Sequence, residues 1–187
     1  MPTTLYTIDR RNAYSPGTQF VLRPPDYSPL GPIPLDRSFL DAQFPKGLSN
    51  HGQRYLINWS LVTGSFMAIN GALEPVTYSG TAIEVVFELV RRLEFPDCLS
   101  RFQAMFACQT EAELKRFAAQ TGSHGTIYEI EVERFQIFDV AFLHLGNTIS
   151  HAWLNARGYW SGAVSINPLW ECLMELPVTV GQQVGTV

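Results

Sequence analysis

Alternation of hydrophobic and polar residues marks two short strands near the start of the chain. Residues 3–8 and 18–23 alternate in this way, with a proline-glycine turn between them. The charged residues Asp9, Arg10 and Arg11 come directly after the first of the two. The pattern therefore predicts a strand that ends in two arginines close to the start of the sequence.

Proline interrupts the alternation after the second strand. Residues 24–45 contain too many prolines for a regular helix, and residues 24–75 as a whole predict a loop-rich insertion. A loop of this length is typical of a lid or a recognition arm, and equally of an inert surface wrap.

Apolar residues at helical spacing predict a core helix over residues 81–95. Its predicted apolar face consists of Ile83, Val86, Phe87, Val90 and Leu93. Thr81 and Glu84 have the spacing of a capping box at the start of this helix, and Pro96 ends it.

The rest of the chain predicts one more helix and several strands. A capping box formed by Thr110 and Glu113 opens a helix that ends at Gly122. Strands are predicted over residues 100–108, 126–133, 136–143 and 170–180. Residues 147–162 fit either a helix or a loop that carries aromatic residues. This order of elements favours a mixed α+β domain with an antiparallel sheet.

Composition limits the classes of protein that fit. The chain has 187 residues, 46% of them hydrophobic, which is enough for one domain, residues 1–187, with a substantial core. The net charge of −4 gives no overall basic field, so contact with a nucleic acid requires a local basic patch.

Several kinds of site lack their sequence signatures. The three cysteines are widely separated and the four histidines lack metal-ligand spacing, so we expect neither a disulfide framework nor a metal site. The glycine-rich nucleotide motifs and the G-x-S-x-G motif of hydrolases are absent.

No apolar stretch has the length of a membrane span or of a signal-peptide core. We therefore expect no membrane partner, and a protein of the cytoplasm or one translocated into a target-cell cytoplasm without a classical signal peptide.

Polar residues lie at the ends of several predicted strands. Arg10 follows the first strand, Ser100 and Arg101 open the middle one, and Glu171 opens the last. If these strands are neighbours, the guanidinium groups suit phosphate oxygens and the carboxylate suits a ribose that develops positive charge. Charged residues at strand ends are also common where they are simply exposed to water and form no site. Spacing alone leaves both interpretations open.

Four segments carry a resemblance to a known family. They are LYTIDRRNAYSPG, AIEVVFELVRRLEFPDCLSRFQAMFAC, GTIYEIEVE and WECLMELPVTV. In this order they resemble a bacterial family of uncharacterised domains related to the ADP-ribosyltransferase-like toxins. That family has a Tyr-His-x-x-Arg start, a helix ending in Phe-Pro, a Ser-Arg pair before an apolar strand, and a late Glu-x-Leu strand. The resemblance covers most of the chain outside residues 24–75.

The resemblance implies a fold and a reaction. The fold is a split, bent antiparallel β-sheet with flanking helices, which holds NAD+ in a cleft between two small sheets. The reaction breaks the bond between nicotinamide and ribose and passes ADP-ribose to a protein or nucleic-acid acceptor, with no metal required. Such a protein acts as a bacterial toxin or effector, and a cognate immunity protein is an open question.

The resemblance also implies site residues. Glu171 is the implied catalytic carboxylate, preferred over Glu175 because related enzymes begin their last core strand with an acidic residue. The implied NAD+ contacts are Tyr6, Thr7, Arg10, Ser100, Arg101 and Phe102. Among them Arg10 lies near phosphate or ribose, and Phe102 contacts nicotinamide. Thr7 stands where the family has a histidine.

Alternatives remain at this point. Glu129, Glu131 and Glu133 are other sources of a carboxylate, although a solvated strand face explains them more simply. Tyr159 and Trp160 fit either a contact with substrate or the core. The protein is alternatively an NAD glycohydrolase, with water as acceptor, or a catalytically silent binding or inhibitor module that uses its proline-rich loop as the contact surface.

Overall fold

The computed structural model describes residues 2–28, 37–58, 62–63, 77–78 and 80–187. Most of residues 29–36 and 59–75 of the predicted insertion therefore lie outside the described residues. Within the described ranges the helices are α1 (Ser38–Gln43), α2 (Asn50–Gly52), α3 (Gly80–Glu94), α4 (Glu111–Thr121) and α5 (Ile149–Trp160). A π-helical turn, Gln53–Asn58, continues α2, and 3₁₀ turns cover Arg101–Gln103 and Val140–Phe142.

The described strands form two antiparallel sheets and a small ribbon. The strands are β1 (Thr3–Asp9), β2 (Gln19–Phe20), β3 (Val62–Thr63), β4 (Thr77–Tyr78), β5 (Ala104–Ala107), β6 (Thr126–Val132), β7 (Phe135–Asp139), β8 (Trp170–Glu175) and β9 (Val178–Thr186). One sheet has the order β1-β6-β9-β2 and the other β5-β8-β7, while β3 pairs with β4. The expected α+β class with antiparallel pairing is confirmed.

The two larger sheets meet edge to edge at β1 and β5. The backbones of Tyr6 and Cys108 exchange two hydrogen bonds of 2.9 and 2.8 Å, and the Thr7 hydroxyl donates to the carbonyl oxygen of Phe106 at 2.9 Å. One buried cluster draws residues from both sheets: Leu5, Ala107, Ile130, Val132, Cys172, Met174 and Val178. Apolar burial therefore stabilises this join together with the hydrogen bonds.

Helices α3 and α5 cover one face of the three-stranded sheet. The core between them consists of Phe87, Val90, Ala104, Phe138, Ala156, Tyr159, Trp160 and Leu173. The Trp160 indole donates to the carbonyl oxygen of Phe87 at 2.7 Å, which ties the two helices together. Residues 147–162, ambiguous in sequence, thus contain a helix, and Tyr159 and Trp160 belong to the core.

The predicted helix over residues 81–95 is confirmed as α3 to within one residue at each end, but its predicted capping box is wrong. The helix begins at Gly80, so Thr81 and Glu84 lie inside it, and the Glu84 carboxylate contacts Arg101 and His51 instead of capping the helix. The apolar face is also shifted, because Glu84 and Glu88 are buried whereas Leu93 is 74% exposed. Arg101, from the turn before β5, pairs with Glu84, whereas Arg91 and Arg92 of α3 itself pair with Glu88. These ion pairs make the burial of the two carboxylates feasible.

The predicted α4 is confirmed in detail. The Thr110 hydroxyl accepts from the backbone N–H of Glu113 at 3.1 Å, and the Glu113 carboxylate accepts from the N–H of Thr110 at 3.3 Å. Gly122 ends the helix with φ 64°, a left-handed conformation that glycine adopts without strain.

Other predicted strands are shorter than expected. The second strand covers only β2, the middle strand begins with a 3₁₀ turn before β5, and the segment 136–143 leaves the sheet after Asp139. The segment 170–180 is two strands rather than one, because β8 pairs with β5 and β7 while β9 crosses to pair with β6 in the other sheet. The proline-rich segment also contains the short helix α1.

Asp139 organises the connection between α5 and β8. Its carboxylate is fully buried and accepts from the backbone N–H groups of Ala141, Ser165 and Leu169 at 3.0, 2.8 and 2.8 Å. Burial alone would raise the pKa of Asp139, but these hydrogen bonds outweigh it and lower the pKa. The bond to Leu169 fixes the chain immediately before β8.

Candidate functional site

A cleft of about 1010 Å³ follows the join between β1 and β5. Its lining includes the end of β1, the strand β5, most of residues 49–55 and the start of α3. Glu171, at the start of β8, also lines the cleft. A volume of this size is at the upper end of the range for small-molecule and cofactor sites.

Arg101 is the centre of a buried polar cluster beside this cleft. Its Nε and Nη2 atoms donate to the two carboxylate oxygens of Glu84 at 2.9 and 3.1 Å. Its Nη1 donates to the Tyr159 hydroxyl at 2.7 Å and to Oε1 of Glu171. The Tyr159 hydroxyl in turn donates to Oε1 of Glu171 at 2.5 Å. Every nitrogen of the guanidinium therefore has a protein partner.

Glu171 is held through one oxygen only. Its Oε1 receives the hydrogen bonds from Arg101 and Tyr159, whereas its Oε2 accepts no hydrogen bond from any residue that the structure describes. The residue is 5% exposed and lines the cleft. A carboxylate fixed in this way has one oxygen available for a ligand.

His51 extends the cluster into the wall of the cleft. Its Nε2 lies 3.1 Å from Oε1 of Glu84, and its ring lies between those of Tyr55 and Phe106, with centroid distances of 4.4 and 4.8 Å. The Arg101 guanidinium also lies 4.7 Å from the centroid of the Phe106 ring. Aromatic rings thus pack against both the His51 ring and the Arg101 guanidinium.

The charges of this cluster support one another. Burial alone would raise the pKa of Glu84, but the charge of Arg101 and the contact with His51 outweigh it and lower the pKa to about 2. For Arg101, burial alone would lower the pKa, but the charges of Glu171 and Glu84 outweigh it and raise the pKa well above its ordinary value. Burial raises the pKa of the Tyr159 phenol. At neutral pH the cluster therefore contains a protonated arginine, an ionised Glu84 and a neutral tyrosine.

Acid is expected to destabilise the protein through Glu84. Because its pKa is about 2 in the folded protein against an ordinary 4.5, its contribution to the free energy of unfolding is complete above pH 4.5 and is lost as the pH falls towards 2. The shift corresponds to about 3 kcal/mol. Urea unfolding at stepped pH measures this loss, and Glu84→Gln is expected to flatten the profile in that window. If the free energy of unfolding of the unmodified protein and of Glu84→Gln depended on pH in the same way, the lowered pKa would not belong to Glu84.

Arginines line the part of the cleft that solvent reaches. Among the described residues, the exposed charged side chains of the cleft are Arg10, Arg11 and Arg23. Asp9 is 1% exposed and accepts from the backbone N–H groups of Arg11 and Tyr14 at 3.0 and 2.7 Å. The buried Asp9 carboxylate thereby shapes the turn that presents the first two arginines, and the mouth of the cleft favours an anion.

The cleft brings four of the predicted site residues together. They are Thr7, Arg10, Arg101 and Glu171. Arg10 is exposed there, whereas Arg101 is already paired with two carboxylates and has no nitrogen left for a phosphate. The Thr7 hydroxyl donates to Phe106 and joins the sheets.

The other three predicted residues do not line this cleft. Phe102 is 2% exposed and packs against Phe44 at a centroid distance of 5.8 Å, so it offers no face to a ligand. The Ser100 hydroxyl donates to Glu88 at 2.9 Å, also away from the cleft. Tyr6 packs against the buried cluster of Cys108, Leu114 and Ile127.

Sequence reasoning missed Glu84 and His51 as members of the site. Glu84 and Glu88 are four residues apart, a spacing that places two side chains on one face of a helix, and both are buried on α3. The spacing thus indicates a shared face but not the partners of the two carboxylates. His51 has no comparable signal, because it reaches the site only through the fold of α2.

Metal and membrane sites receive no support from the described part of the chain. No three histidine, cysteine or acidic side chains in it are grouped so as to hold a metal ion. None of its helices combines the length and the apolar character needed to cross a membrane.

These features define an α+β protein with two edge-joined antiparallel sheets and a basic-mouthed cleft at their join. The chain belongs to the family described as "Protein of unknown function (DUF2441)", whose model matches residues 5–186. A search of curated proteins finds no match to the chain.

Proposed function

We propose that the protein is an NAD+-dependent ADP-ribosyltransferase with Glu171 as its catalytic carboxylate. The observation that carries the proposal is Glu171 itself, which lines the cleft with Oε1 held by Arg101 and Tyr159 and with Oε2 unbonded among the described residues. Two small sheets with a cleft at their join agree with the ADP-ribosyltransferase-like fold that the sequence resemblance implies.

The proposed chemistry needs one anion beside a developing cation. The bond between the nicotinamide nitrogen and ribose C1′ breaks with its electron pair going to nicotinamide, which leaves as a neutral molecule. Positive charge grows on the ribose, and the Glu171 carboxylate stabilises it. A nucleophile of the acceptor then bonds to C1′ and loses its proton. Stabilisation that increases towards the transition state is what raises the rate.

In this proposal the diphosphate of NAD+ lies at the mouth of the cleft. Arg10 and Arg11 are exposed there and make no ion pair with any described carboxylate. A guanidinium binds two phosphate oxygens at once, which favours arginine over lysine at such a position. Arg101 serves to hold Glu171 and does not bind phosphate.

Replacing Arg10 with alanine is expected to raise the KM for NAD+ about 10- to 100-fold, because a hydrogen bond to a charged group is lost. Steady-state kinetics of nicotinamide release measure the change. The matched control is Arg116→Ala, an exposed arginine of α4 that does not line the cleft. Equal KM values for the two variants would remove Arg10 from the binding site.

The proposed function is tested by following both halves of NAD+. The purified protein is incubated with NAD+ labelled in the adenylate part, with and without cell lysate, while free nicotinamide is measured. Label that becomes macromolecular and is released by protease identifies a protein acceptor, and label released by nuclease identifies a nucleic acid. If no nicotinamide is released under any of these conditions, the enzyme proposal fails.

A catalytically silent binding module is the second candidate. Two observations favour it: the Thr7 hydroxyl, at the position of the family's histidine, is donated to Phe106, and Arg101 is fully paired. Such a module binds NAD+ or a partner without turnover.

Nicotinamide release into buffer alone would instead support NAD hydrolysis. Action as a delivered toxin or effector, with an immunity protein, belongs to the transferase proposal and depends on its acceptor.

A further inference from the structure

We propose that Glu84 is a positioning residue that acts on Glu171 through Arg101. The inference rests on the proposed function, because it concerns the geometry of the carboxylate assigned to catalysis. Glu84 lies on α3, whereas Arg101 lies in the 3₁₀ turn before β5 and Glu171 lies on β8. The three side chains therefore join separate elements at one point.

Glu84 fixes the plane of the Arg101 guanidinium. Both of its carboxylate oxygens are used, one on Nε and one on Nη2, at 2.9 and 3.1 Å. A two-point contact of this kind sets orientation as well as position. The Phe106 ring, 4.7 Å away, faces the guanidinium and limits its remaining movement.

A guanidinium held in this plane leaves Nη1 directed at Glu171. This nitrogen contacts Oε1 of Glu171 and the Tyr159 hydroxyl. Tyr159 is rigid as well, since its ring stacks on Phe138 at 4.7 Å and meets Trp160 edge-on at 4.7 Å. Two fixed donors therefore determine where Oε1 lies, and with it the direction of the unbonded Oε2.

Loss of the Glu84 contact is expected to affect the reaction more than substrate binding. Arg101 would keep Glu171 and Tyr159 as partners but would lose the pair of bonds that sets its plane. A displacement of a catalytic group by about 1 Å costs about 100-fold in rate. The expected signature is a fall in kcat of about 10- to 100-fold with little change in the KM for NAD+.

Glu88 supplies a matched control on the same helix. It lies one turn after Glu84, is 6% exposed, and pairs with Arg91 and Arg92 at 2.9 and 2.7 Å. It makes no hydrogen bond with Arg101. Glu88→Gln thus removes a buried charge of the same type from the same helix without touching the Arg101 contacts.

The experiment compares kcat, the KM for NAD+ and urea unfolding for Glu84→Gln and Glu88→Gln, all at a temperature where both are folded. A Glu84→Asp variant keeps the charge beside Arg101 and withdraws the carboxylate by one methylene, so it tests position without removing a charge from the cluster. We expect Glu84→Gln and Glu84→Asp to lower kcat, and Glu88→Gln to keep the kcat of the unmodified protein.

The outcomes separate this inference from the function on which it rests. If Glu171→Gln abolishes turnover but Glu84→Asp keeps the full kcat, or if Glu84→Gln and Glu88→Gln lose kcat equally, the positioning role is overturned and the transferase remains. If Glu171→Gln leaves nicotinamide release unchanged, the proposed function and the positioning role fall together.

Discussion

Glu171→Gln is expected to lower the rate of nicotinamide release about 100- to 1,000-fold, the usual cost of removing a preorganised electrostatic group from a transition state. Glutamine has nearly the shape of glutamate and accepts the Arg101 and Tyr159 hydrogen bonds through its carbonyl oxygen, but it cannot neutralise a developing cation. The measurement is kcat for NAD+ turnover, together with NAD+ binding by calorimetry, which we expect to change little.

Glu175→Gln is the matched control for this prediction. Glu175 lies on the same strand, β8, where it forms an ion pair with Arg134 at 3.4 Å at the surface of the protein. Its replacement is expected to leave kcat unchanged. A loss of turnover in Glu175→Gln with none in Glu171→Gln would transfer the catalytic role to the other end of the strand.

Arg101→Met is expected to lower the free energy of unfolding by about 3–5 kcal/mol, the usual cost of removing one partner from a buried ion pair. Methionine fills much of the volume but leaves Glu84 and Glu171, both 5% exposed, without the cation between them. Two buried carboxylates then face each other in a medium that solvates them poorly. Denaturant unfolding at neutral pH measures the loss.

Arg134→Met serves as the comparison for Arg101→Met. The Arg134 side chain is 59% exposed, and its pair with Glu175 is screened by water, so its removal is expected to cost about 0–1 kcal/mol. If the two substitutions cost the same, Arg101 does not compensate buried charge. The same result would also weaken its assignment as the residue that holds Glu171.

Features of the fold that depend on neighbouring residues were predictable from the sequence. The Thr110–Glu113 capping box and Gly122 define α4 completely, because capping and left-handed glycine involve only residues within a few positions. The division of 170–180 into β8 and β9 was not predictable, because it depends on which distant strands each half pairs with.

The same distinction applies to the site. Strand-end positions suggested Arg10, Ser100, Arg101 and Glu171, and the cleft contains all of them except Ser100. The partners of Arg101 could not be read from the pattern, since Glu84 and Glu171 lie 17 and 70 residues away. The sequence pattern assigned Glu84 to a capping box, because that motif is recognised from local spacing alone. Its ion pair with Arg101 instead holds Glu84 inside the protein.

The buried carboxylate of Asp139 holds the start of β8 in place, so the position of this strand does not depend on the length of the loop before it. Its bonds to Ser165 and Leu169 secure both ends of a short stretch, residues 166–168, in which Ile166 is 97% exposed. Exposed loop positions of this kind accept inserted sequence readily. A peptide tag or a fluorophore introduced there lies between the two hydrogen-bonded positions and projects into solvent. It therefore labels the protein without displacing Glu171.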